Sequence, residues 1–248
     1  MAGHSKWKNI QHRKGRQDAI KGKIFTKLTK EIYAAVRSGG DDPNSNGALR
    51  QALQKAKQNN LPNSNIENAI KKAMGNVDGV QYEEIIYEGY GPGGAAVMVE
   101  ALTDNRNRTA AEIRFLFSKN GGNLGENGCV SFLFDRKGLI RINVEQNETD
   151  GETVMMEALE AEVEDVELDG SVVEITTTVE AFEQVRQTLD DKGYRFEQAE
   201  ITRIPSTTVQ LSGEEAKQMI KLIEALEDND DVQNVHANFE TDDDVWDG

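Results

Sequence analysis

From Asp18 the apolar residues fall at Ile20, Ile24, Phe25, Leu28, Ile32 and Val36, the spacing of one helical face, and Gly39-Gly40 supplies the stop. At about 100° per residue, Lys23, Lys27, Lys30 and Arg37 project away from that stripe, so one face packs and the other is basic. A second helix follows Asp42-Pro43 with Leu49, Ala52, Leu53 and Ala56 inward and ends before Leu61-Pro62. The third opens with the capping box Ser64-x-x-Glu67, carries Ile66, Ile70 and Met74 on its apolar face, and ends at Gly75. Three short helices with matching stripes make a small helical domain over residues 18–78.

Beyond Gly75 the period shifts from 3.6 toward 2. The alternation predicts strands near Tyr82–Tyr87 and Ala95–Leu102, a helix entered through the box Thr109-x-x-Glu112 and stopped at Asn120-Gly121-Gly122, and a strand Cys129–Phe134. Next come a strand Leu139–Val144, a helix Thr153–Ala161, strands Val163–Leu168 and Val172–Thr177 joined by Asp169-Gly170, a helix Val179–Lys192 and a strand Phe196–Ile204. That order, βαββαβ, is the ferredoxin-like pattern. The chain finishes with a strand Thr207–Leu211, a helix boxed by Ser212-x-x-Glu215 and a strand Val232–Phe239. This last βαβ has too little sheet to stand alone, so it is expected to return to the ββαβ unit that precedes the ferredoxin-like segment.

The predicted fold class is therefore α+β: an N-terminal three-helix domain followed by two α/β domains, the middle one inserted into a discontinuous ββαβ…βαβ domain. The expected boundaries are 79–135 plus 206–240 for the split domain and 136–205 for the insertion. The four residues Asp135 to Gly138, together with Pro205-Ser206, are read as the crossing points. Residues 1–17 form a basic, flexible arm and residues 241–248 an acidic tail.

Charge adds what the hydrophobic pattern cannot. The 248-residue chain has formal net charge −16, yet residues 1–37 hold ten Lys/Arg against Asp18 and Glu31. Through Gly75 the balance is +10, and from Asn76 to the end it is −26. Such asymmetry suggests a polyanion-binding segment attached to a body that repels polyanions. Hydrophobic content of 37% is enough for globular, soluble domains. The uncharged stretch GYGPGGAAVMV is far short of the ~20 apolar residues a membrane span needs, and the basic start lacks the apolar core of a secretory signal. The lone Cys129 forms no internal disulfide, as expected in a reducing cytoplasm, and is read as a small buried strand residue.

Several motifs fail as chemistry. Gly89-x-Gly91-x-x-Gly94 has the dinucleotide spacing, but AAVMVEAL after it alternates like a strand, so the glycines read as a hairpin loop. Three His residues, at 4, 12 and 236, and one Cys do not make a four-ligand zinc site. Asp228-Asn229-Asp230-Asp231 lacks the central Gly and terminal Glu of a calcium loop and reads as a solvated helix end. No Ser or Cys nucleophile has a plausible His and orienting acid around it, so neither an enzyme, a metal nor a cofactor is expected.

Binding chemistry gathers at the N-terminus. Lys6-Trp7-Lys8 and His12-Arg13-Lys14 interleave cations with rings able to stack on bases or sugars, while Lys23, Lys27 and Lys30 can neutralise phosphates. Trp7 either stacks on a ligand or folds back onto the helical domain. Arg106 and Arg108, at a helix entrance, either bind a phosphate or pair with Asp104 and Glu112.

MAGHSKWKNIQHRK with GKIFTKL, YEGYGPGG with TDNRNRT, and FSKNGGNLGENG followed by IPST resemble, in this order and over essentially the whole chain, the signatures of the YebC/PmpR family. The resemblance implies a helical N-terminal domain plus two α/β domains. It also implies a non-enzymatic nucleic-acid-binding regulator of gene expression, working in the cytoplasm as a DNA-binding transcriptional regulator. The alternative it carries is a ribosome-associated translation factor that binds ribosomal RNA and assists elongation through proline-rich stretches. Both targets are polyanions, so the basic arm does not choose between them. The mostly Lys face suits phosphate binding without base readout. Between Arg141 and Arg186 there is no base but 14 acids, a surface suited to a basic protein partner such as one on the ribosome.

Overall fold

The computed structural model of the chain describes residues 17–75 and 79–241. The chain divides into two compact units: residues 134–206, and the remainder on either side of them.

In the larger unit, helices α1 (Gln17–Gly39), α2 (Gly47–Gln58) and α3 (Asn63–Gly75) close around Leu28, Ile32, Val36, Leu49, Ala52, Ala56, Ile66 and Ala69. The α1–α2 corner is fixed by buried Asn46. Its side chain accepts from the Leu49 amide at 3.1 Å, capping α2, and donates to the carbonyls of Ala35 and Gly40, both at 2.8 Å. A Cβ at Gly39 would approach the Asn46 amide to 2.7 Å, so the corner closes only around glycine. The inner face of α3 is Ile66, Ala69 and Ala73, with the expected Ile70 partly buried against the same core and Met74 off it. Met74 is exposed, because the close packing against α1 favours small alanines.

The same unit holds a four-stranded sheet. β1 (Glu83–Tyr90) and β2 (Ala96–Thr103) form an antiparallel hairpin; β3 (Asn123–Leu124) adds outside β1, and β9 (Val232–Ala237) pairs antiparallel with β2, giving the order β3-β1-β2-β9. The terminal segment thus returns through β9. Its flanking strands β8 (Val209–Leu211) and β10 (Phe239–Thr241) instead form a separate parallel pair. Helices α4 (Arg106–Lys119) and α7 (Gly213–Asp228) contribute Ile113, Phe117, Met219, Leu222 and Leu226 to one core with Val97, Val99 and Val235.

The hairpin turn carries the glycine motif. Pro92–Gly94 makes one short helical turn, with Gly93 and Gly94 at φ 67° and 76°, and strand β2 follows directly. A Cβ at Gly91 would reach the Met219 sulfur at 2.5 Å, so here glycine serves packing against α7.

The smaller unit runs β4 (Phe134–Asn143), α5 (Gly151–Leu159), β5 (Asp165–Asp169), β6 (Val172–Thr177), α6 (Phe182–Asp191) and β7 (Gln198–Pro205), with antiparallel order β5-β6-β4-β7. This is the expected ferredoxin-like βαββαβ arrangement. Its first strand departs from expectation. Residues Asp135 to Gly138, read as a link, are paired strand, and Cys129 to Leu133 form turns and a short helical turn rather than a strand. Gly138, which suggested a break, sits where a Cβ would collide with Thr177 and Phe182.

Candidate nucleic-acid interface

Lys23, Lys27 and Lys30 of α1 do not face solvent alone. They meet the end of α7 and the turn into β9. Lys23 pairs with the Asp228 carboxylate, Lys27 Nζ donates to the Glu227 carbonyl at 2.6 Å, and Lys30 Nζ reaches Asp231 Oδ1 at 2.7 Å. Spacings of four and three residues keep them on one helix face, and that face takes hold of Glu227, Asp228, Asp230 and Asp231. Lys27 and Lys30 are thereby drawn from solvent while Lys23 stays half exposed, and of residues 228–231, read as a solvated helix end, Asp228 and Asp230 are exposed whereas Asp231 is buried.

Asp231 is the centre of the arrangement. It is only 5% exposed. Its second oxygen accepts from Arg108 and the Thr109 hydroxyl, each at 2.7 Å, and from the Thr103 hydroxyl at 3.3 Å. Burial alone would raise its pKa, but hydrogen bonds from Arg108, Lys30 and Thr109 outweigh that and bring it to about 2. Burial pushes the Lys27 ammonium below its ordinary value, with Glu227 partly offsetting the shift.

Arg108 pairs with Asp104 at 2.9 Å and with Asp231, whereas Glu112 accepts from Asn229 instead. The anticipated Thr109 box is not the helix entrance. Asn105 caps α4 through the Arg108 amide at 3.1 Å, which leaves Thr109 buried and turned to Asp231. Arg106 is exposed, and among the described residues no acid pairs with its guanidinium. Lys6, Trp7, Lys8, His12, Arg13 and Lys14 lie outside the described residues.

A second buried carboxylate had no sequence signature. Glu88 accepts from the amides of Gly128, Val130 and Ser131 at 2.8–2.9 Å. Burial would raise its pKa, but these three donors lower it. The loop so held includes Cys129, half-buried, whose carbonyl accepts from the Tyr90 hydroxyl at 3.0 Å. Among the described residues no group of three or more His, Cys, Asp or Glu side chains is arranged to hold a metal ion, and no helix is long and apolar enough to cross a membrane.

A three-helix domain, a split α/β domain and a ferredoxin-like insertion define the class of protein, and known proteins share it throughout. Residues 5–76 match the model of the TACO1/YebC protein N-terminal domain, and residues 82–239 match that of the TACO1/YebC second and third domain. The chain belongs to the TACO1/YebC family. It is 57% identical over 244 residues to a probable transcriptional regulatory protein of Natranaerobius thermophilus, covering 98% of each chain. It is 55% identical over 240 residues to one of Geobacter sulfurreducens, covering 97% of this chain and 96% of that one. The crystal structure of a conserved hypothetical protein from Aquifex aeolicus is similar, with TM-score 0.83 and 49% identity over 93% of this chain and 94% of that chain.

Proposed function

We propose that this protein is a non-enzymatic, nucleic-acid-binding regulator of gene expression acting in the cytoplasm, and that DNA is its target in transcriptional control. The observation that carries the reading is the separation of charge, +10 through Gly75 against −26 beyond it. The names of its relatives agree with it. The arm residues Lys6, Trp7, Lys8, His12, Arg13 and Lys14 supply cations and rings. Lys23, which keeps 44% of its side chain exposed, and exposed Arg106 extend the phosphate-binding surface. Lys27, Lys30 and Arg108 join it only where phosphate displaces the acidic residues that hold them. The acidic insertion, lacking any base between Arg141 and Arg186, repels polyanions and suits a basic protein surface.

The test is anisotropy of labelled duplex DNA and structured RNA with the full chain across a salt series. Affinity should fall steeply with salt, by a log–log slope of roughly −0.9 per phosphate neutralised on duplex, and removal of residues 1–17 should weaken binding at least tenfold. Salt-independent binding, or a truncated chain that binds as tightly, refutes the assignment. Tighter binding to RNA than to duplex at every salt would move the target from transcription to translation.

A further inference from the structure

A cavity of about 460 Å³ opens between α1, α3 and the segment leading into β1, within the roughly 300–1,000 Å³ usual for small-ligand sites. One wall is aromatic. Tyr33 and Tyr82 meet edge to face with centroids 5.8 Å apart, and Lys30 Nζ lies 4.9 Å from the Tyr82 ring centre. The other wall is α3, where Asn65, Asn68 and Lys72 follow at three- and four-residue spacing along the side that faces the cavity. Among the described residues, neither Asn side chain has a hydrogen-bond partner and Lys72 pairs with no acid. Asp230 lines the Lys30 end, its carbonyl accepting from Lys30 at 3.4 Å.

Three elements of this cavity match parts of a nucleotide. A side-chain amide offers donors and an acceptor together, the combination that reads a base edge. An aromatic ring receives a base without regard to sequence, and here half-buried Tyr82 offers it, with buried Tyr33 behind it. A lysine at the rim neutralises phosphate, and because Lys30 is already bound to the Asp231 carboxylate at 2.7 Å, that phosphate falls to Lys72. We infer that the cavity is a subsite for one unpaired nucleotide of a bound strand, its base against the tyrosine wall and read by Asn65 and Asn68, its phosphate on Lys72. The inference rests on the nucleic-acid reading and deepens it, because a fully paired duplex has no base to offer such a site.

Two measurements on the full chain separate the subsite from the wider function. In the first, AMP, CMP, GMP and UMP are titrated at millimolar concentration into ¹⁵N-labelled protein. At least one should shift the side-chain amide resonances of Asn65 and Asn68 saturably, and Lys72→Ala should weaken that response about fivefold or more. If none of the four moves those resonances, the subsite is refuted. In the second, a stem-loop RNA, a single-stranded DNA and a duplex DNA are compared at one salt concentration with the wild type and an Asn65→Ala/Asn68→Ala variant. Loss of about fivefold or more on either unpaired strand, with duplex affinity within about twofold, supports the subsite. Equal loss on all three refutes it while leaving nucleic-acid binding in place. A wild type that binds none of the three refutes the proposed function, and the mononucleotide titration then decides the cavity alone. Ile66, Ala69 and Ala73 pack α3 and are untouched by these changes, and circular dichroism checks that the helix is retained.

Discussion

At the scale of single residues, Asp231 is where sequence and geometry differ most. A carboxylate in a run of acids reads as solvent-facing, yet this one is buried because four donors converge on it from three other elements. Its ionised form is therefore bound up with the fold. An unfolded Asp titrates near 3.8 and the folded one at about 2. The stabilisation it brings is fully present above about pH 4, and is lost as pH falls through the folded value. The shift corresponds to roughly 2 kcal/mol at neutral pH. Asp231→Asn leaves Lys30 without its carboxylate, and Lys30 is only 12% exposed. The variant should lose about 2–4 kcal/mol at pH 7. Urea unfolding at pH 7 and pH 3 should show the gap between wild type and variant narrowing in acid; a gap independent of pH would mean that Asp231 acts through shape and not charge.

At the scale of elements, helix propensity and stripe spacing set α1, but its role comes from the acidic turn it meets. The three lysine contacts differ in worth. Lys23–Asp228 lies at the surface, with side chains 44% and 71% exposed, and such pairs contribute at most about 1 kcal/mol. Lys30–Asp231, at 12% and 8%, is shielded from water and salt and holds the turn in place. In the insertion, β4 depends on a missing side chain. Gly138→Ala inserts a methyl group against Thr177 and Phe182 and should cost about 1–3 kcal/mol by overpacking. Thermal unfolding followed by circular dichroism would report the loss. An unchanged melting temperature would mean that α6 shifts to admit the methyl at little cost.

At the scale of the molecule, the chain order interleaves two folding units. After residue 206 the larger unit receives much of its core: Met219, Leu222 and Leu226 from α7, then Val232 and Val235 from β9. At about 1.5–3 kcal/mol each, their removal forfeits on the order of 10 kcal/mol, comparable to the whole stability of a typical domain. A chain ending at Ser206 is thus expected to keep the dispersed amide spectrum of residues 134–206 while its β1–β2 hairpin unfolds. Native-like dispersion from residues 83–124 in that truncated chain would contradict the split core.

The local pattern carried most of the architecture. Apolar periods of 3.6 and 2, punctuated by Gly39-Gly40, Asp169-Gly170 and Pro205, were enough to order the helices and strands, because each such signal acts within a few residues and survives without tertiary context. The βαββαβ insertion followed from that order. What pairing decided was finer: β9 joins β2 while β8 pairs with β10, Gly138 lies inside a strand, and Ala73 replaces Met74 at the helical interface. Each depends on the volume and hydrogen bonds offered by residues remote in the chain. Of the candidate interface, the sequence marked the cations, since charge is visible residue by residue. It did not mark their partners, for Lys30 and Asp231 are 201 positions apart, and only the folded chain brings such residues within hydrogen-bond reach. The Asn65–Asn68–Lys72 face and Tyr82 were likewise unremarkable in sequence, because a cavity is a property of the space between elements.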